Sequence, residues 1–234
     1  MGAEPQWGRP TLANGTTTVK AEAWGFDFTS IDADHRYRLL SNFVGPRPIA
    51  LVSTRGQDGY ENAAPMSFFN VFSHAPPIVV LGIQTRPDGA VKDTVQNIRD
   101  TGVFVVNMVD MDLAPGMLIC GLPFARDVDE MRTAGLSAIP GSQVAAPRIK
   151  EAPCAMECRV ERMIDFDRRV LVLGEVVHMH VRANCMDAEG RYVDPENYQP
   201  IARLHQDNYV TSDRQIVLKA PDIASVRPVL GGRP

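Results

Sequence analysis

A chain of 234 residues, 44% of them hydrophobic, is long enough to bury one generous core without disulfide staples. Its formal charge of −4, with no Lys/Arg run longer than two residues, argues against a surface that neutralises nucleic-acid phosphates. Four cysteines, Cys120, Cys154, Cys158 and Cys185, lack CxxC spacing and the density of a secreted framework, and no stretch approaches a membrane span, so a reduced, cytoplasmic protein is expected.

Residues 1 to about 25 are rich in Gly, Pro, Thr and Ala with little periodicity, which predicts an arm that is disordered or laid across a neighbour, Trp7 and Trp24 favouring the second. The remainder, 26–234, reads as one domain. In "RPIALVST" the β-branched content rises; "RGQDGY" then supplies turn chemistry, and "ENAAPMSFFNVF" resumes an extended pattern. This predicts a hairpin in which Gly56 and Gly59 permit positive φ. "PPIVVLGIQT" and "VFVVNMVD" read as the next strands.

Between those two strands lies the strongest helix signal, "KDTVQNIRDTG". Asp93 is the expected N-cap with Gln96 as its capping-box partner, Val95 and Ile98 the apolar stripe, and Gly102 the stop. "DLAPGMLICGLPFARDVDEMRTAG" predicts helical pieces broken by Pro115, Gly116 and Pro123. "CAMECRVERMIDFDRRVLVLGEVVHMHVR" reads as two long strands joined around "DFDRR", and a turn-rich segment leads to a short strand near "QIVLKA". Strands dominate, so a barrel or sandwich is expected rather than an alternating βαβ array.

A phosphate needs positive charge and several donors, and a helix N-terminus adds unpaired amides. Lys92 as point charge, Thr94 as hydroxyl and Ser67 from "AAPMSFF" meet that need, provided Asp93 turns its carboxylate away. The same residues equally describe a plain capped helix start. Ser53, Thr54 and Asn62 suit the edge of a flat heterocycle, or ordinary turn and strand-end polarity. No GxGxxG follows a strand and no GxxxxGK[ST] occurs, which excludes a Rossmann site or P-loop as the phosphate binder. His178 and His180, with His205 further on, read as surface or interface residues, and no metal site is expected. Cys154 and Cys158 share a strand face as core thiols.

The run "VGPRPIALVSTRGQDGYENAAPMSFFNVFSHAPPIVVLGI", followed by "KDTVQNIRDTGVFVVNMV", resembles the flavin reductase-like family of FMN-binding split-barrel proteins, which includes flavoredoxin and the reductase components of two-component monooxygenases. The likeness is close from Phe43 to Asp110, looser through "CAMECRVERMIDFDRRVLVLGEVVHMHV", and returns in "VDPENYQPIARLHQDNYV". It leaves out the N-terminal extension and the "PVLGGRP" ending, where many relatives keep an aromatic residue.

The resemblance implies a mainly β chain with helices: a six-stranded antiparallel split β-barrel, forming a homodimer with FMN at the interface. By matched motif, Ser53, Thr54 and the Asn62, Ala63 and Ala64 backbone would face the isoalloxazine and ribityl, Ser67, Lys92 and Thr94 would hold the phosphate, and Asn97 would stand one turn on. His205 and Tyr209 would line the substrate side or pack a dimer interface. The activity implied is NAD(P)H-dependent reduction of flavin, FMN or FAD, supplied to a partner monooxygenase. The alternatives are a flavoredoxin-like electron carrier and a flavoenzyme acting directly on an organic substrate.

Overall fold

The computed structural model describes residues 23–222 apart from 87 and 215. The arm expected over residues 1–25 lies almost wholly outside the described residues, as does the "PVLGGRP" ending. The chain divides after Leu39 into two compact units. In the first, the Asp32 carboxylate accepts the His35 N–H at 2.7 Å at the start of helix α1 (Ala33–Phe43).

The second unit carries the fold. In chain order it contains β1 (Arg47–Pro48), β2 (Ala50–Arg55), β3 (Glu61–Met66), β4 (Phe69–His74), β5 (Pro77–Gln84), α2 (Asp93–Thr101) and β6 (Val103–Met108). There follow α3 (Ala114–Cys120), α4 (Glu130–Thr133), β7 (Ala138–Ile139), β8 (Arg148–Ile149), β9 (Cys154–Phe166), β10 (Arg169–Val181), β11 (Ile201–Arg203) and β12 (Tyr209–Thr211). The main sheet is antiparallel and seven-stranded, in the order β3-β2-β6-β9-β10-β5-β4. Its two ends, β3 and β4, are consecutive in the chain and joined only by Ser67 and Phe68. The sheet must therefore roll until its ends meet, and the Gly82 N–H closes the corner on the Phe68 carbonyl at 2.7 Å. This is the expected split barrel, with seven strands instead of six because "ENAAPMSFFNVF" turns that corner and counts twice.

The apolar pattern explains the layering. Strand β2 is buried on both faces: Ala50 and Val52 enter the barrel core with Leu81, Phe104 and Val106. Leu51 points the other way, into a second core with Val109, Leu113 and Met117. A strand between two cores needs a continuous apolar run, which "IALV" supplies. Helix α2 seals the barrel with Val95 and Ile98, each such side chain contributing about 1.5–3 kcal/mol on burial. The long strands β9 and β10, of 13 residues each, are joined at Asp167 and Arg168 as expected.

Several local expectations are corrected. Gly59 has φ +87°, but Gly56 is not in the left-handed region. A Cβ at Gly56 would instead lie 2.4 Å from Asp58 Oδ1 and 2.9 Å from Asn97 Oδ1, so a side chain there would displace those polar groups. The N-cap of α2 is Lys92, without a side-chain cap, because the Asp93 carboxylate is drawn off by Arg86 and Arg126; Gln96 bonds Asp100 instead of closing a capping box. Gly102 ends the helix at φ +71° as expected. Pro115 and Gly116 do not break α3 but lie in its first turn, where a missing N–H costs no helical hydrogen bond. Residues 216–220 of "QIVLKA" form no strand, since no neighbour offers them a ladder.

Candidate functional site

One cavity of about 610 Å³ opens where the barrel corner, the head of α2 and the β11–β12 hairpin face each other, within the range of about 300–1,000 Å³ usual for small-molecule sites. Asn62, Ala64 and Ser67 form the β3 side, Lys92 and Thr94 the α2 side. Leu118 of α3 and, after it, Leu122 and Phe124 form an apolar wall, and the hairpin adds Arg203 and Tyr209.

Behind the β3 wall runs a buried polar network. The Thr94 hydroxyl donates to Asn62 Oδ1 at 2.7 Å, and Asn97 Nδ2 donates to the Thr54 hydroxyl at 3.0 Å. Arg126 reaches Asn97 Oδ1 at 3.2 Å and pairs with Asp58 and Asp93. Four residues singled out by sequence thus meet, yet Thr54 and Asn97 spend their polar atoms on positioning and do not line the main cavity. Ser53 faces the other way, as alternation along β2 dictates: its hydroxyl donates to the Pro147 carbonyl at 2.5 Å and accepts from Asn107 Nδ2 at 2.9 Å. Ala63 is buried, its N–H donated to Glu130. His205 is exposed and outside the cavity, whereas Tyr209 lines it.

Lys92 is half-buried, and its ammonium has no hydrogen-bond or ion-pair partner among the described residues. Burial, then Arg86 and Arg169, lower its pKa. A cation pushed toward neutrality by burial, and further by neighbouring cations, marks a place where an anion is favourable.

Sequence reasoning missed Glu130. Its Oε2 accepts from Asn62 Nδ2 at 2.5 Å and from the Ala63 N–H at 2.6 Å, so it caps the free edge of β3 from α4. Burial pushes its pKa up to about 7, against the opposing pull of those two donors. The local signal, Asp129 capping Arg132 N–H at 2.9 Å, announces a helix start and nothing about β3. The four cysteines are free and buried. His180 pairs with Glu157, and no group of three metal-ligating side chains forms among the described residues.

A rolled antiparallel sheet with a cavity at its corner defines a split barrel, and the split-barrel domain of a Shewanella frigidimarina protein superposes with a TM-score of 0.69 at 21% identity, covering 84% of this chain and 100% of that one. The chain belongs to the flavin reductase-like family, whose model, the flavin reductase like domain, matches residues 44–202. An Aquifex aeolicus protein is 40% identical over 80% of this chain and 95% of its own. Among solved structures, the 2-nitrobenzoate 2-nitroreductase NbaA of Pseudomonas fluorescens is 35% identical, with a TM-score of 0.78 over 86% of this chain and 98% of that chain. Component B of nitrilotriacetate monooxygenase from Bacillus cereus is 29% identical, with a TM-score of 0.80 over 85% and 100%. No helix among the described residues is long and apolar enough to cross a membrane.

Proposed function

We propose that the cavity holds FMN and that the protein is an NAD(P)H-dependent flavin oxidoreductase, a homodimer that supplies reduced flavin to a partner monooxygenase. The carrying observation is the half-buried Lys92 ammonium, without a counter-ion among the described residues, at the N-terminus of α2 and in one cavity with Ser67. A phosphate there gains that charge, a hydroxyl and the free amides of the first helical turn.

When bound, the flavin supplies hydride acceptance and electron delivery. The chain's own part is binding and orientation. Thr94 holds the Asn62 amide, Thr54 and Asn97 brace the wall from behind, and Leu118, Leu122 and Phe124 would shield a bound flavin from water. The edge strand β4 leaves Val71 and Phe72 62% and 70% exposed, an apolar face that suits a second subunit. The likeness to component B of nitrilotriacetate monooxygenase supports an oxygenase partner. The likeness to a 2-nitrobenzoate 2-nitroreductase favours a second reading, in which the flavin stays bound and an organic substrate is reduced in the same cavity.

The test is the anaerobic absorption spectrum of the purified protein before and after NADH or NADPH, with and without added FMN. Bleaching that turns over with free FMN supports the reductase; bound flavin untouched by either nucleotide overturns it.

A further inference from the structure

Two half-buried cations on the cavity wall have no carboxylate partner among the described residues, Lys92 and Arg203. FMN brings one phosphate group, and the reading above places it at Lys92. Arg203 then remains uncompensated.

Its guanidinium is nonetheless held in place. Nε and Nη2 donate to the Gln206 carbonyl at 3.2 and 2.9 Å, and the head lies 5.7 Å from the centre of the Tyr209 ring. Gln206 presents that carbonyl from φ +51°, a left-handed conformation that a residue with a side chain adopts only against strain. A carbonyl satisfies donors but carries no net charge, so the site is oriented and still positive. Asp88 and Asp207 line the same cavity, exposed, and neither forms an ion pair with Arg203. Across β1–β11 its register partner is another arginine, Arg47, whose own head is spent on the carbonyls of Ser41, Val44 and Leu204. Like charges directly opposite each other are unfavourable, so the arrangement gains from an anion.

We propose that the Arg203 end of the cavity binds the carboxylate of a small organic acid, its apolar or aromatic body laid against the wall that Leu118 and Leu122 contribute, as a second ligand beside the flavin. A guanidinium fork matches a carboxylate with two parallel hydrogen bonds, and one cation balances one negative charge. A pyrophosphate bears more charge than one guanidinium balances. The inference rests on the flavin reading for what the second ligand meets, and not for the ligand's own attachment.

The experiment titrates the full-length protein with benzoate, with its neutral isostere benzamide and with inorganic pyrophosphate, by calorimetry without flavin and by flavin absorbance with FMN bound. Expected is benzoate binding with a flavin spectral shift, benzamide weaker by about tenfold or more, and an Arg203→Gln protein that loses benzoate by a similar factor while its FMN affinity stays within about twofold. Equal binding of benzoate and benzamide, no benzoate binding, or an unaffected Arg203→Gln protein overturns the proposal. So does displacement of benzoate by pyrophosphate, which assigns the pole to a dinucleotide, or loss of FMN affinity in Arg203→Gln, which assigns it to the flavin. Failure of the unsubstituted protein to bind FMN strikes the flavin reading instead, and the calorimetric arm still decides the carboxylate site. Retained FMN binding also shows that the variant is folded.

Discussion

Glu157 Oε1 lies 2.6 Å from Nε2 of His180, although the Glu157 side chain is fully buried. The same carboxylate accepts the N–H groups of Ser142, Gln143 and Val144 at 2.6 to 3.0 Å, so one buried charge on β9 fastens the loop that precedes β8.

Burial alone would raise the pKa of Glu157; the Ser142 amide, His180 and the other two amides outweigh it and hold the value at about 2. A depressed folded-state value means that the stabilisation is complete above the unfolded-state pKa of about 4.3 and fades as pH falls toward 2. Glu157→Gln is expected to cost about 2–4 kcal/mol at pH 7. In urea unfolding the gap between the two proteins should narrow below about pH 4; a gap independent of pH would count against the charge as its source.

Glu130 has the opposite sign. Its folded pKa, about 7, lies above the unfolded value, so the protonated form is favoured by folding and stability declines as pH rises from about 4.3 through 7. Glu130→Gln keeps an acceptor for Ala63 and Asn62 and removes the buried charge. It should be more stable than the parent at pH 8 by about 1–3 kcal/mol, and no more stable at pH 4. Thermal melts at the two pH values decide this.

The cavity wall and the opposite face of β2 make a contrasting pair. Lys92→Ala and Ser67→Ala should each weaken FMN binding by roughly 1–3 kcal/mol. Ser53→Ala should leave FMN affinity alone and cost about 1 kcal/mol of stability, since its hydroxyl serves Pro147 and Asn107. Fluorescence titration with FMN separates the two outcomes, and loss of affinity in Ser53→Ala would move the cavity wall to the other face of β2.

A Cβ at Gly174 would sit 2.3 Å from Cζ of Phe104, a fully buried ring of the barrel core. Gly174→Ala is expected to destabilise by about 1–3 kcal/mol through overpacking. Unchanged denaturant midpoints would mean that the ring has room to yield.

Much of this was legible in sequence where the signal is local. The β2–β3 hairpin, the stripe and glycine stop of α2 and the paired strands β9 and β10 follow from periodicity and turn chemistry. What escaped was decided by contacts distant in sequence. The edge of β3 is capped by Glu130, 67 residues on from Ala63. Asp93 looks like an N-cap until Arg126, from 33 residues away, joins the nearer Arg86 in drawing its carboxylate off. In the "RLHQDNY" block His205 and Tyr209 drew notice and Arg203 did not, yet the hairpin brings Arg203 and Tyr209 to the cavity and leaves His205 exposed outside it, an arrangement set by the pairing of β11 with β12.

The two-residue link between β3 and β4 has a mechanical consequence. Ser67 is anchored on either side by a strand end, and those ends are the sheet's own margins, so its position is inherited from the circumference of the barrel. An anion drawn to that wall meets a hydroxyl that can retreat only by parting the seam, so tolerance for longer or shorter ligands falls to the other walls, the segment between α3 and α4 and the β11–β12 hairpin.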